Sequence, residues 1–271
     1  MNHFPMIIGP CVIESHEWAL DVTREIQHQL RELPVEWTFK ASFDKANRSS
    51  VKSFRGPGLE SGLKTLSEVQ NLGIPVLTDV HETGQVKAVA EVVDCIQVPA
   101  FLCRQTDLIE AVVWEAFSRN KKINIKKGQF LAPWDVKNIV DKVKSFQKQF
   151  EADGELWITE RGVSFGYNRL IVDMAAFREI QAFNVPVIYD ATHSVQLPGA
   201  SQGGQATGGT RENIRVLARA AVAAGANGLF MEVHPDPKSA KSDGPNAFHL
   251  NELRSFVSEL LEIQHCVSRF Q

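Results

Sequence analysis

Cysteine is scarce in this chain: four thiols, Cys11, Cys95, Cys103 and Cys266, in 271 residues. Few and scattered, they form no disulfide framework and read as reduced thiols of a cytoplasmic protein. Long apolar runs are also missing. None approaches the roughly 20 residues of a membrane span, and the first residues show neither the basic start nor the long apolar stretch of a secretion signal. Nor is there a basic excess. Lys and Arg number 29 against 32 Asp and Glu, a net charge of -3, so nothing marks a nucleic-acid partner. No GxGxxG follows the first apolar run, which argues against a doubly wound dinucleotide-binding sheet. No linker-like shift in composition divides the chain, and residues 1–271 read as a single domain.

What the chain does have is a rhythm. Short continuous apolar runs recur around Ile7-Ile8, Trp37-Phe39, Pro75-Leu77, Cys95-Ile96, Ile123-Ile125, Leu156-Ile158, Val187-Tyr189 and Leu229-Met231. Such runs suit strands buried on both faces of a parallel sheet. Helical patterns lie between them. His16 to Leu33 carries Trp18, Val22, Ile26 and Leu30 on one face; Leu59, Leu63, Leu66 and Val69 repeat at threes and fours. Asn213 to Gly225 is Ala-rich and ends on a glycine suited to a helix C-cap. "NLGIPVLTDV" and "AFNVPVIYDAT" repeat one device: helix end, Pro, buried strand, Asp. Eight strands alternating with helices, spaced by roughly thirty residues, predict an α/β fold of the (β/α)8 TIM-barrel type.

In such a barrel the chemistry sits at the carboxyl ends of the strands. In order, those positions hold Cys11 and Glu14; Lys40, Ser42, Lys45, Asn47 and Arg48; Asp79 and His81; Gln97, with Arg104 in its loop; Lys126 and Lys127; Glu160 and Arg161; Asp190 and His193; then Glu232 and His234, with Asp236 and Asp243 beyond. Any one lysine here reads most simply as a solvated surface group. Together they concentrate positive charge at one end of an acidic chain, which points to phosphate and carboxylate ligands.

Cys11, His193, Glu232 and Asp243 come from the first, seventh and eighth strand ends, and strands one and eight are neighbours in a closed barrel. The set suits a borderline divalent ion. Spacing alone leaves two other readings open: a packed thiol among surface acids, and a nucleophilic Cys11 with His193 as its base. "QLPGASQGGQATGGTREN" is too rich in glycine for regular structure. It reads either as a lid over the mouth or as a flexible connection, leading to a helix capped near Thr210.

The segments "FKASFDKANRSS", "TDVHE", "QVPAFLCRQTDL", "NIKKGQF", "ERGVSFGYNRLIVD", "YDATHSVQLPG" and "MEVHPDP" together resemble the 3-deoxy-D-manno-octulosonate 8-phosphate (Kdo8P) synthase family, in order and over about nine-tenths of the chain. That family is similar to the DAHP synthases, whose erythrose-4-phosphate-using members carry a "KPRTS"-like segment where this chain has "KANRSS". The resemblance implies a condensation of phosphoenolpyruvate with D-arabinose 5-phosphate and water, giving Kdo8P and inorganic phosphate by C–O cleavage, in lipopolysaccharide synthesis. It implies a cradle of Lys40, Lys45, Lys126 and Arg161 for phosphoenolpyruvate, with Ser42, Gln97 and Ala100 beside it. Asn47, Arg48 and Ser49 resemble the pentose-phosphate site. Arg104 resembles a phosphate ligand lent across a subunit interface, which implies a homotetramer. Lys45, His193, Asp79 and Cys11 are the residues placed nearest the chemistry.

The family has a metal-dependent class with Cys at the position of Cys11 and a metal-free class with Asn there. Cys11, His193, Glu232 and Asp243 therefore resemble the ligands of one divalent ion, Zn, Fe, Mn or Co, with Asp236 the alternative last ligand. Two other functions stay open at this point: a DAHP-type synthase using another sugar phosphate, and a non-catalytic metal- or phosphate-binding barrel.

Overall fold

The computed structural model describes residues 3–48, 50–164, 168–198 and 208–270. Eight strands run in parallel: β1 (Phe4–Gly9), β2 (Val35–Lys40), β3 (Val76–Asp79), β4 (Cys95–Val98), β5 (Lys122–Lys126), β6 (Leu156–Glu160), β7 (Val187–Asp190) and β8 (Gly228–His234). Each pairs with the next, and β8 returns to pair with β1, Met6 opposite Leu229 and Gly9 opposite Glu232. The sheet is closed, as the sequence rhythm predicts. β3, β4, β6, β7 and β8 are buried at every position, because helices cover one face and barrel filling the other.

The covering helices are α1 (His16–Leu30), α2 (Leu59–Asn71), α3 (Thr83–Val92), α4 (Thr106–Phe117), α5 (Val136–Phe150), α6 (Ala176–Gln181), α7 (Asn213–Ala223) and α8 (Leu253–Val267). α1 starts where the Ser15 side chain accepts the Trp18 amide at 3.4 Å. It stops at Leu30, short of the Leu33 suggested by its apolar face, because Glu32 takes a left-handed φ of 67° and Pro34 follows. Thr210 does not cap α7. Its hydroxyl donates to the Val195 carbonyl at 3.3 Å, and the helix begins three residues later with no side-chain cap. No helix among the described residues is long and apolar enough to cross a membrane.

Two packing features place the site. Inside the barrel, Ile7, Leu77, Cys95, Trp157, Ile188 and Phe230 form an apolar plug separate from the large cluster under the helices. At the carboxyl end of β1, Gly9 lies so close to β2 that a Cβ would collide with the Lys40 carbonyl. Pro10 then ends the strand, and Val12 forms an isolated parallel bridge with Ser42. The glycine thus draws the ends of β1 and β2 together, with Cys11 beside Lys40. Of the glycine-rich segment, residues 199–207 lie outside the described residues, and the lid reading with them. Its flanks form a short antiparallel pair, Gln196–Leu197 with Gly208–Gly209.

Candidate active site

A cavity of about 820 Å³ opens at the carboxyl ends of the strands. Cations from several strands reach it: Lys40 and Lys45, Arg48, Lys126 and Arg161. Asp79, Gln97, Ala100, His193 and Asp243 share its wall, and Asn47 its rim. This convergence follows from the barrel, which gathers strand ends that are far apart in sequence.

The floor is built on Phe230, the upper face of the apolar plug. Lys126 Nζ sits 3.3 Å from the centre of that ring and pairs with Asp190. Burial lowers the Lys126 ammonium, Asp190 only partly offsets this, and the group is pulled down to about 8. Asp190 is fully buried and also accepts from the ring Nδ1 of His193 at 2.8 Å and from its amide at 2.9 Å. Burial would raise this carboxyl, but His193 and Lys126 hold it well below the usual range. Arg161 donates to Gln196 Oε1 at 2.5 Å, while its buried Nε has no hydrogen-bond partner among the described residues. A small anion with a phosphate and a carboxylate matches a floor of this kind.

Next to it lies the thiol cluster. Ligand atoms of Cys11, Glu232 and Asp243 fall within 4.8 Å of one another. Cys11 Sγ is 3.1 Å from Asp243 Oδ2 and 2.8 Å from Ser242 Oγ. His193 joins through Glu232, its Nε2 being 3.4 Å from Glu232 Oε2. Lys40 donates to Glu232 Oε1 at 2.8 Å and to the Cys11 carbonyl at 2.9 Å. Burial, Glu232 and Asp243 push the thiol well above its ordinary value. The donor set fits a divalent ion on two counts. Donors about 2.3 Å from one ion stand up to about 4.6 Å apart, close to the 4.8 Å within which Cys11, Glu232 and Asp243 lie, while His193 stands outside that group of three. The Asp190–His193 bond fixes one ring nitrogen and turns the other toward Glu232, the usual outer-shell device for an imidazole ligand.

At the end of β3 stands Asp79, which accepts from Ser42 Oγ at 2.5 Å and faces His81 Nε2 at 3.0 Å. Burial would raise its carboxyl; His81, Lys40 and Lys45 outweigh that and hold it low. Burial would likewise lower the Lys45 ammonium, yet the Glu232, Asp79 and Asp243 carboxylates hold it above an ordinary lysine. Lys45 is therefore a fixed positive charge. Arg48, at the rim, donates from Nε to the Phe54 carbonyl at 3.1 Å and from Nη2 to the Lys241 carbonyl at 3.4 Å. Gln97 is steadied from below by Asn124, which donates to its Oε1 at 3.1 Å.

Some expected residues lie elsewhere. Ser42, Cys11 and Glu232 stand behind the cavity wall, Ser42 as the hydrogen-bond donor to Asp79. Lys127 and Glu160 pair with each other at 3.2 Å, away from the mouth. Arg104 is exposed and does not line the mouth of its own chain. Ser49 lies outside the described residues. Asp236 is exposed, its amide donating to His234 Nδ1, whereas Asp243 meets the thiol. Asp190, one of the strand-end acids, belongs to the site, and so do two further residues, Gln196 and Phe230. Asp190 carries a signal, as the acid ending "VIYD". Gln196 and Phe230 carry none, since one follows a 3-10 turn and the other is an ordinary strand aromatic.

The fold and site together define a (β/α)8-barrel enzyme with a cationic mouth for small anionic substrates. A model of the DAHP synthetase I family matches residues 2–269, and the chain belongs to that family. It is 51% identical over 263 residues to the 2-dehydro-3-deoxyphosphooctonate aldolase of Alkalilimnicola ehrlichii, covering 97% of this chain and 91% of that one. The like-named protein of Cupriavidus taiwanensis is 51% identical over 268 residues, 98% and 91% of the two chains. That of Francisella tularensis subsp. novicida is 49% identical over 265 residues, 97% and 92%.

Proposed function

We propose that this enzyme condenses phosphoenolpyruvate with D-arabinose 5-phosphate and water, releasing Kdo8P and inorganic phosphate in the synthesis of Kdo for lipopolysaccharide. The observation that carries the reading is near-half identity, over nearly the whole chain, to relatives named for this product. The cavity supplies the matching chemistry. C3 of the enol attacks the sugar aldehyde carbon, forming the new C–C bond. Water adds at C2, and the C2–O bond to phosphate breaks.

Lys126, Lys40 and Arg161 orient phosphoenolpyruvate over Phe230 and hold the charge that gathers on the departing phosphate. Lys45, charged throughout, faces the oxygen that becomes negative when the aldehyde is attacked. Asp79, kept ionised and aimed by Ser42 and His81, accepts a hydrogen bond from a sugar hydroxyl or from water. Arg48 and Asn47, at the outer rim, meet the distal phosphate of the sugar. Cys11, His193, Glu232 and Asp243 hold a divalent ion, which when bound supplies Lewis-acid orientation and activation of water.

The test is phosphate release from phosphoenolpyruvate with arabinose 5-phosphate or erythrose 4-phosphate as competing acceptors. Preference for arabinose 5-phosphate is expected. Preference for erythrose 4-phosphate makes the chain a DAHP-type synthase, and binding of both ligands without turnover makes it a non-catalytic barrel.

Lys126 gives a pH prediction. In the free protein it is charged below about 8 and neutral above. An anion binds the charged form, so the apparent KM for phosphoenolpyruvate is flat below that pH. Above it, KM rises about tenfold per unit. Binding near pH 8 therefore takes up a fraction of a proton, read by calorimetry in buffers of different ionisation enthalpy. No uptake, with a KM that stays flat well above pH ~8, removes Lys126 from the binding step.

We also infer a homotetramer in which Arg104 is lent to a neighbouring mouth. In support, Arg104 is exposed and does not line its own cavity, and Phe101, Phe130 and Trp134 are each more than half exposed in the β4 and β5 loops. A monomer by analytical ultracentrifugation removes this arrangement.

A further inference from the structure

We infer that Glu14 is a positioning residue: its carboxylate clasps the loop after β8 and so sets both the Cys11–Asp243 cluster and Arg48. The inference rests on the site assignment proposed above.

One oxygen does the clasping. Glu14 Oε1 accepts the Lys241 amide at 2.8 Å and lies 3.3 Å from His234 Nε2. His234 ends β8 and Lys241 stands midway along the adjoining loop, before Phe248–His249 returns to pair with β8, so one carboxylate oxygen spans the first half of the loop. His234 is itself fixed. Its Nδ1 accepts the Asp236 amide at 3.0 Å and Trp18 packs on the ring at 5.1 Å between centroids. Its buried Nε2 stands close to Glu14 without a hydrogen bond among the described residues, so the Lys241 amide is the one hydrogen bond of the clasp.

The residues around and beyond Lys241 give the clasp its consequence. The Lys241 carbonyl accepts from Arg48. The next two residues, Ser242 and Asp243, are the ones that meet Cys11 Sγ, at 2.8 and 3.1 Å. Asp243 has a φ of 48°, the left-handed region. A residue with a side chain stays there only when its surroundings over-determine it. Its carbonyl accepts the amides of Asn246 and Ala247 at 2.8 and 3.0 Å, which fixes the far side of the loop. Glu14 fixes the near side.

Cys11 and Glu14 also lie in one short segment tied to the barrel. Ser42 donates its amide to the Cys11 carbonyl at 3.3 Å and accepts the Ile13 amide at 3.0 Å. That segment therefore meets the loop at two points, Cys11 and Glu14. One sets the cluster and the other holds its register. Arg48 bonds the clasped residue directly, whereas the phosphoenolpyruvate cradle is reached only at one remove: Gln196 donates to Asp243 Oδ1 at 3.3 Å and accepts from Arg161, and Lys40 donates to the Cys11 carbonyl, which Ser42 also holds.

The experiment compares Glu14→Ala, Glu14→Gln and Glu14→Asp. Cd²⁺ titration is followed by the ultraviolet thiolate–cadmium band, alongside KM for each substrate. Glu14→Ala is expected to weaken Cd²⁺ binding about tenfold, the usual effect of losing an outer-shell partner. It should raise the arabinose 5-phosphate KM about fivefold and leave the phosphoenolpyruvate KM within about twofold, the range for one lost hydrogen bond. Glu14→Gln keeps an oxygen at the same reach and restores most of both losses. Glu14→Asp keeps the charge, falls a methylene short and resembles Glu14→Ala. Parental Cd²⁺ affinity and sugar KM in Glu14→Ala overturn the clasp. So does an equal rise in both KM values, which signals general loosening. If Glu14→Ala does not fold, parental values in Glu14→Asp overturn it instead. A parent chain with neither the band nor turnover overturns the site assignment itself.

Discussion

Cys11→Ala is expected to lower divalent-ion affinity by at least about a hundredfold and phosphate release by a similar factor, because the thiolate is a charged and soft ligand that Ala cannot imitate. The geometry argues for so large an effect. Sγ lies within contact of Asp243 and in the same cluster as Glu232. In the protein alone those carboxylates, together with burial, keep the thiol protonated. Ion binding must therefore displace a proton, and the parent should release close to one proton per Mn²⁺, Co²⁺ or Zn²⁺ bound near neutral pH. Equilibrium dialysis after treatment with a strong chelator, with proton release followed in weak buffer, reads both quantities. Unchanged metal content and unchanged activity in Cys11→Ala make the thiol a packing residue. A parent whose full activity survives proven removal of all metal keeps the reaction and places the chain with the metal-free class.

Asp190→Asn should act on two functions at once. The carboxylate is buried and pairs with both Lys126 and His193. The amide retains the hydrogen-bonding oxygen toward the amides of Thr192 and His193, so the backbone turn survives. The charge does not. Lys126, already lowered by burial, loses the partner that holds it up and becomes neutral near neutral pH. His193 loses the acceptor that sets its ring. Breaking one side of a buried pair costs about 3–5 kcal/mol. Here part of that cost is relieved by deprotonation of Lys126, so it is felt mainly as lost substrate binding. The expected result is a drop in kcat/KM for phosphoenolpyruvate of about two to three orders of magnitude, with only a modest fall in melting temperature. Stopped-flow binding and thermal unfolding separate the two. A large fall in melting temperature with kinetics intact makes Asp190 a purely structural acid.

These two residues also show how legible the site is in the chain. Cys11 stands out because a thiol directly after a strand-ending Gly-Pro is unusual, but its partners Ser242 and Asp243 lie near the other end of the chain. Asp190 is visible as the acid closing a buried run, yet nothing local says that it serves Lys126. Lys126 and Lys127 are adjacent and chemically identical in the sequence. They face opposite ways because consecutive residues at a strand end point to opposite sides. One reaches the cavity, and the other pairs with Glu160. Phe230 has no signal at all, since the strand needs an apolar residue there whether or not a lysine rests on it.

The sequence by itself determined the number and order of the strands, the helices between them and the set of ionisable groups at the strand ends. These depend on local periodicity and on breakers such as Gly9-Pro10, which act over a few residues. It did not determine which of those groups share one cavity, which pair off behind the wall, or that Glu14 closes the loop before Asp243. Those contacts span up to 232 positions. Only barrel closure, which sets β8 beside β1 and turns alternate side chains inward, decided them.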